Sequence, residues 1–285
     1  MIVQTAPLGA KHFAITMAEH TELAGMYARA FGNNEFEPVA PRDLMLHVVD
    51  HHDQGWSSLN AAPGTDLRTG LPVNQVDTPL EDIANPSTAS PELNERHHVL
   101  CGLLSSIHSG GLYNGRYGIS DKMLIDAIPA SDRPLVARML EEEMVRQSRL
   151  NARLAANPAT ANWVEQGRLF QNYMQMRFFD TLTLDFDRIH KSDRGETRVA
   201  TGHDHARRDA TITLRPAGDA TYALSPFPFT RDPVEFQYSG RYIEPAMRSG
   251  TMGRHIMVYF AAMADDQVAV GIDVPDHSRV PRGSG

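Results

Sequence analysis

Cysteine is nearly absent from this sequence. One residue, Cys101, stands among 285. That excludes an intramolecular disulfide and any zinc site built from several thiolates. Long apolar runs are missing too. None approaches the roughly 18 residues of a membrane-crossing helix. A surplus of positive charge is also lacking. Lys and Arg number 27 against 35 Asp and Glu, a net charge of −8. Nothing concentrates basic residues into a stripe, so phosphate-backbone binding is not expected. Met1-Ile2-Val3-Gln4-Thr5 has no basic region followed by an apolar one, so no secretory signal is expected. These absences predict a cytoplasmic protein without nucleic-acid or membrane partners. They leave a small-molecule substrate as the expected partner and allow a homodimer.

Apolar residues make up 41% and charged residues 22%, which supports a sizeable core. At about 150 residues per domain, the length predicts one large or two modest domains. Histidine is abundant, at 13 residues. The tail Val280-Pro281-Arg282-Gly283-Ser284-Gly285 resembles most of a thrombin cleavage sequence. Residues 280–285 are therefore set aside as a possible tag remnant.

The texture changes near residue 190. Before it, apolar positions recur at helical spacing. Thr16 and Glu19 form a capping-box pattern that opens a helix over about 17–31. Pro41 suits the first turn of a second helix, about 41–53. The Gly-, Pro-, Asn- and Asp-rich stretch 54–89 reads as a long loop. A third helix is predicted from Ser90 to about Ser109, ended by Gly110-Gly111. A short helix near 120–128 follows, then a long one from a Ser131 cap to Asn157. A last helix starts at the Asn162–Glu165 capping box and runs to about 188. After 190, strands are predicted near 197–201, 211–215, 221–224, 235–243, 256–261 and 267–273. The expected architecture is mainly α, α+β overall. A helical bundle over 1–190 precedes a small antiparallel β subdomain over 191–275.

Several polar side chains fall on the apolar faces of these helices. At 100° per residue, His20 shares a face with Leu23, Ala24, Tyr27 and Phe31. His52 lies in line with Met45, Val48 and Val49. Asp180 lies in line with Leu169, Tyr173, Met176 and Leu184. His108 follows Cys101 and Leu104. One inward histidine is ordinarily a hydrogen-bonded core residue. An ionised carboxylate on an apolar face, however, costs several kcal/mol unless a cation or several donors compensate it. Four such positions on separate helices point to a divalent metal, with Fe, Mn, Zn, Ni or Mg suited to imidazole and carboxylate ligands. His97 and His98 lie 10 to 11 residues from His108, about 15–16 Å along an unbroken helix. They are expected outside the site, as is His51, which points about 100° away from His52. The His203-Asp204-His205 stretch reads as a solvated loop.

His20, the pair His52-Asp53 and the distant Asp180 resemble the signature of the HD superfamily of metal-dependent proteins. The chain also resembles an uncharacterised bacterial domain-of-unknown-function family. That likeness rests on the initial Met-Ile-Val, on His52-Asp53-Gln54-Gly55-Trp56, and on Asn60-Ala61-Ala62-Pro63 with Thr69-Gly70-Leu71-Pro72. It continues through Ser106-Ile107-His108-Ser109-Gly110-Gly111-Leu112-Tyr113 and Arg116-Tyr117-Gly118. Asp180-Thr181-Leu182-Thr183-Leu184 and Pro226-Phe227-Pro228-Phe229 complete it. Gln54 and Asn60 stand where the family pattern has Asp. The superfamily resemblance implies a helical metal site of His20, His52, Asp53 and Asp180, with His108 as a further ligand or general acid/base.

Water activated by such a metal is a nucleophile near neutral pH. The expected activity is metal-dependent hydrolysis of a small phosphorylated or otherwise anionic metabolite. Arg116 is the candidate for orienting its anion, and Trp56 and Tyr113 for walling the pocket. The resemblance also implies two alternatives. One is an HD-type diiron oxygenase, which needs histidines beyond the core set. The other is a non-catalytic, metal-stabilised binding module.

Overall fold

Thr16 closes the first turn of the first helix in both directions. Its hydroxyl accepts from the Glu19 amide at 3.2 Å, and the Glu19 carboxylate accepts from the Thr16 amide at 2.7 Å. In the computed structural model, residues 1–114, 128–218, 220–243 and 251–262 are described. The expected helix near 120–128, the strand near 267–273, Arg116 and the 280–285 tail lie wholly or largely outside them.

Helix α1 spans Met17–Ala30 and α2 spans Arg42–His51. A short α3, Ser57–Ala61, leads to α4, Leu80–His97, and α5, Val99–Asn114. Then come α6, Arg133–Ala155, and α7, Gln166–Arg188. Three expectations fail between 80 and 114. Residues 80–89 are helix, not loop, because α4 runs on through Pro86 and Pro91. The single helix expected over 90–109 is two, broken where His98 adopts an extended backbone (φ −160°, ψ 147°). Gly110-Gly111 does not end α5 either. Gly111 lies against α7, where a Cβ would collide with the Tyr173 hydroxyl. Its small size serves packing, not termination.

The strands form one seven-stranded sheet in the order β1-β2-β6-β7-β5-β4-β3. β3 is Thr197–His203, β4 Asp209–Pro216, β5 Thr221–Ser225, β6 Val234–Ile243 and β7 Thr251–Ala262. The α+β class holds, with two corrections to the β part. Two strands come from the N-terminus, β1 at Ile2–Val3 and β2 at His12–Ile15, with Phe13 opposite Tyr242 of β6. The β5–β7 pairing is parallel, whereas the other neighbours are antiparallel. Segments of two and four residues are too short to display the alternation that identifies a strand.

Helices and sheet share one core. Tyr27 of α1 packs edge-on against Phe236 of β6, with ring centroids 4.7 Å apart. Phe186 of α7 lies 5.4 Å from Phe260 of β7. The N-terminal strands also hold the end of α7. The Gln4 side chain donates to the Phe186 carbonyl at 2.6 Å, and the Thr5 amide donates to the Arg188 carbonyl at 2.9 Å.

Candidate metal centre

Four helices deliver the inward polar groups to one place. α1 supplies His20, the C-terminus of α2 supplies His52 and then Asp53, α5 supplies His108, and α7 supplies Asp180. His20 and His52 are fully buried, His108 and Asp180 nearly so. His20 Nε2 lies 3.2 Å from Asp180 Oδ1. His52 Nε2 lies 3.8 Å from the same oxygen and 3.7 Å from Asp53 Oδ2. The His52 ring is 5.6 Å from that of His20 and 5.0 Å from that of His108.

The surroundings fix the ring tautomers. A carbonyl oxygen only accepts, so His52 Nδ1 donates to the Val49 carbonyl at 2.8 Å. The lone pair of neutral His52 is therefore on Nε2, the atom facing both carboxylates. His20 Nδ1 lies 2.7 Å from Asp187 Oδ2, which turns Nε2 toward Asp180. Such outer partners orient the histidine ligands of metal sites.

The charge balance follows from burial and these contacts. Burial alone would lower the His20 pKa, but Asp180 and Asp187 outweigh it and hold it at about 10. His52 is raised in the same way: burial opposes, and Asp53 and Asp180 prevail. Burial would raise Asp180, yet His20 and His52 hold it well below the usual carboxylate range. Asp187, deeper still, is raised by burial. His108 is pushed down to about 4, chiefly by burial.

The donor set fits a divalent ion. His52 Nε2 and His108 Nδ1 are buried and lack hydrogen-bond partners. Ligands 2.0–2.2 Å from one centre lie about 2.8–3.6 Å apart at octahedral or tetrahedral angles, close to the spacings here. Two overlapping triads qualify, His20-His52-Asp180 and His52-Asp53-His108, each with its donor atoms within 4.8 Å of one another. His52 has one nitrogen free, so it can serve one ion only.

Two neighbours escaped the sequence reading. Asp187 was legible, because it lies seven residues after Asp180 on the same face of α7. Arg177, three residues before Asp180, places Nη1 3.5 Å from Asp180 Oδ2. Inward arginines carry no periodic signal that separates them from surface ones. Trp56 and Tyr113 lie with Asp53 on the wall of a cavity of about 340 Å³. Arg116 lies outside the described residues. His51 and His97 are not brought to the centre. The His47 ring stacks between them, 4.3 Å from His51 and 3.4 Å from His97. His98 lies 6.0 Å from the Trp163 ring, and His203 pairs with Asp209 at 2.9 Å, away from the centre.

Residues 1–245 match the family described as protein of unknown function (DUF3891), and the chain belongs to that family. No curated protein and no solved structure matches it. No helix among the described residues is long and apolar enough to cross a membrane.

Proposed function

We propose that the protein is a metal-dependent hydrolase of a small molecule, with an HD-like centre. His20, His52 and Asp180 would hold the ion, with Asp53 and His108 beside it. A divalent ion in such a site lowers the pKa of a bound water toward neutrality and polarises a carbonyl or phosphoryl oxygen. The observation that carries the reading is His52 Nε2, buried, unpartnered and faced by two carboxylates at 3.7 and 3.8 Å.

The chain's own residues supply the rest. Asp187 holds His20 in one orientation. The Val49 carbonyl does the same for His52. Asp53, half-buried at the cavity wall and 3.7 Å from His52 Nε2, would stand between ion and substrate. His108 Nδ1, unpartnered and on a ring kept neutral by burial, would be the group that takes up a proton. Arg177 offsets the charge of Asp180 and offers a nearby cation to an anionic leaving or reacting group.

The test is to load the purified chain with Mn, Fe, Zn or Mg and follow hydrolysis of a panel of phosphoesters, esters and amides. Turnover should require the metal and vanish in His52→Ala and Asp180→Ala. Turnover surviving both substitutions would reject the reading. One alternative is a two-metal oxygenase, which would need ligands beyond the two triads, because both draw on the single free nitrogen of His52. Its signature is two irons per chain and ferrous-dependent oxygen uptake without hydrolysis.

A further inference from the structure

The last turns of α7 carry polar groups that the metal centre does not use. Leu184 and Arg188 stand one turn apart on the helix, with Asp185 beside them. At 100° per residue, Asp185 points about 140° away from Asp180. This face of α7 and the strand β3, which ends the sheet, enclose a cavity of about 400 Å³. That is the small end of ligand cavities. Asp185, Arg188 and Arg198 line it, and none of His20, His52, Asp53, His108 and Asp180 does. Leu184, Ile189 and Val199 give it an apolar wall.

Both signs of charge in this cavity are left open by the fold. Asp185 Oδ2 is buried and, among the described residues, has no hydrogen-bond partner. Burial pushes the Asp185 carboxyl up, and the Arg194 guanidinium opposes the shift from a distance. Arg194 is engaged elsewhere. It donates from Nε to the Ile189 carbonyl at 2.9 Å, from Nη1 to the Tyr222 hydroxyl at 2.6 Å and from Nη2 to the Phe186 carbonyl at 2.9 Å. Arg188 and Arg198 make no ion pair among the described residues. Glu196, two residues before Arg198, is taken by Arg215 at 2.6 Å. A lone anion here would meet an unpartnered carboxylate, and a lone cation would meet two guanidiniums. A molecule carrying both charges satisfies all three groups. We propose that this cavity binds a small aliphatic zwitterion of the amino-acid class, its ammonium on Asp185, its carboxylate on Arg188 and Arg198, and its carbon chain on Leu184, Ile189 and Val199. The site is separate from the metal centre and does not depend on the hydrolase reading.

The test is calorimetry on the full chain, treated with a chelator so that no probe is held by an ion at the centre. The probes are glycine, 4-aminobutyrate and 6-aminohexanoate, which differ in the spacing of their charges, with butylamine and butyrate as single-charge controls. The best of the three amino acids should bind roughly tenfold tighter than either control. Asp185→Asn keeps the side-chain shape and should remove that advantage while leaving butyrate binding equal or stronger. Arg198→Gln, at an exposed position, should remove it while leaving butylamine binding equal or stronger. Amino acids that bind no tighter than the better control overturn the proposal, as does full affinity in Asp185→Asn. Because no turnover is measured, loss of the hydrolase reading leaves this site standing. Loss of the site leaves metal-dependent hydrolysis standing.

Discussion

His20 holds a proton that a metal must displace. With Nδ1 on Asp187 and Nε2 on Asp180, the metal-free ring is an imidazolium, and its pKa stands at about 10. Metal affinity is therefore expected to rise with pH, as ligands shed their protons. The metal-free fold should show the opposing limits. His20 has a raised pKa, so its stabilising effect is complete below its unfolded value of about 6.5 and is lost as pH climbs through 10. His108 has a lowered pKa. The unfolded chain binds its proton near pH 6.5 and the folded chain only near 4, so stability falls as pH drops between them. Asp180 adds a further loss at the most acidic end. Chelated protein should be most stable near pH 6.5 by thermal denaturation, declining on both sides. His108→Leu should flatten the acid decline; an unchanged acid limb would show that another group causes it. Asp187→Asn replaces the carboxylate behind His20 with a weaker acceptor. It should reduce metal affinity roughly 10–100-fold by calorimetry while the helical circular dichroism persists. Affinity within twofold of wild type would remove Asp187 from the site's support. At this scale the sequence was largely readable. His20, His52, Asp180 and His108 declared themselves by standing on apolar faces. Asp187 stood on the same face as Asp180. Arg177 could not be read, because its role depends on a contact 3.5 Å long and not on a pattern.

Among the elements, the helix pair α4–α5 separates propensity from packing. Prolines at 86 and 91 and the glycine pair at 110–111 are breaker signals, and at all of them the helices continue. The true break, at His98, carries no breaker residue. There the His98 amide donates to the Asn94 carbonyl and Nδ1 accepts from the Leu100 amide at 3.1 Å, which ends one helix and starts the next. Tertiary fit overrides local preference in each case. The glycine pair makes the point measurable. At Gly110 an added Cβ meets nothing nearer than Gln147 Nε2 at 3.6 Å. Gly110→Ala should stabilise the protein by about 0.5–1 kcal/mol, the helix-propensity difference. At Gly111 the added carbon strikes the Tyr173 hydroxyl. Gly111→Ala should destabilise by about 1–3 kcal/mol in spite of the same propensity gain. Urea denaturation of both variants decides it, and two stabilising results would mean that α7 yields to α5 at no cost.

For the whole molecule, the change of texture at residue 190 marks where helices give way to strands, and the core does not stop there. Ile2, Phe13 and Ile15, at the start of the chain, are buried to within 2% exposure. β2 pairs with β6, more than two hundred residues later. Tyr27 and Phe186 rest on Phe229, Phe236 and Phe260, which all lie beyond residue 190. Removing a single buried phenylalanine side chain costs about 3–5 kcal/mol, and a whole domain has only about 5–15 kcal/mol of stability. A fragment of residues 1–190 loses all three of those rings together, along with the β6 partner of β2. It keeps every candidate metal ligand and Asp187, yet α1 and α7, which hold His20 and Asp180, both pack on the missing sheet. The fragment should therefore show no cooperative thermal transition and bind no stoichiometric metal, whereas the full chain should melt cooperatively and take up the ion. A fragment that melts cooperatively and takes up one ion would instead make the helical region a folding unit of its own, with the C-terminal strands an addition to it.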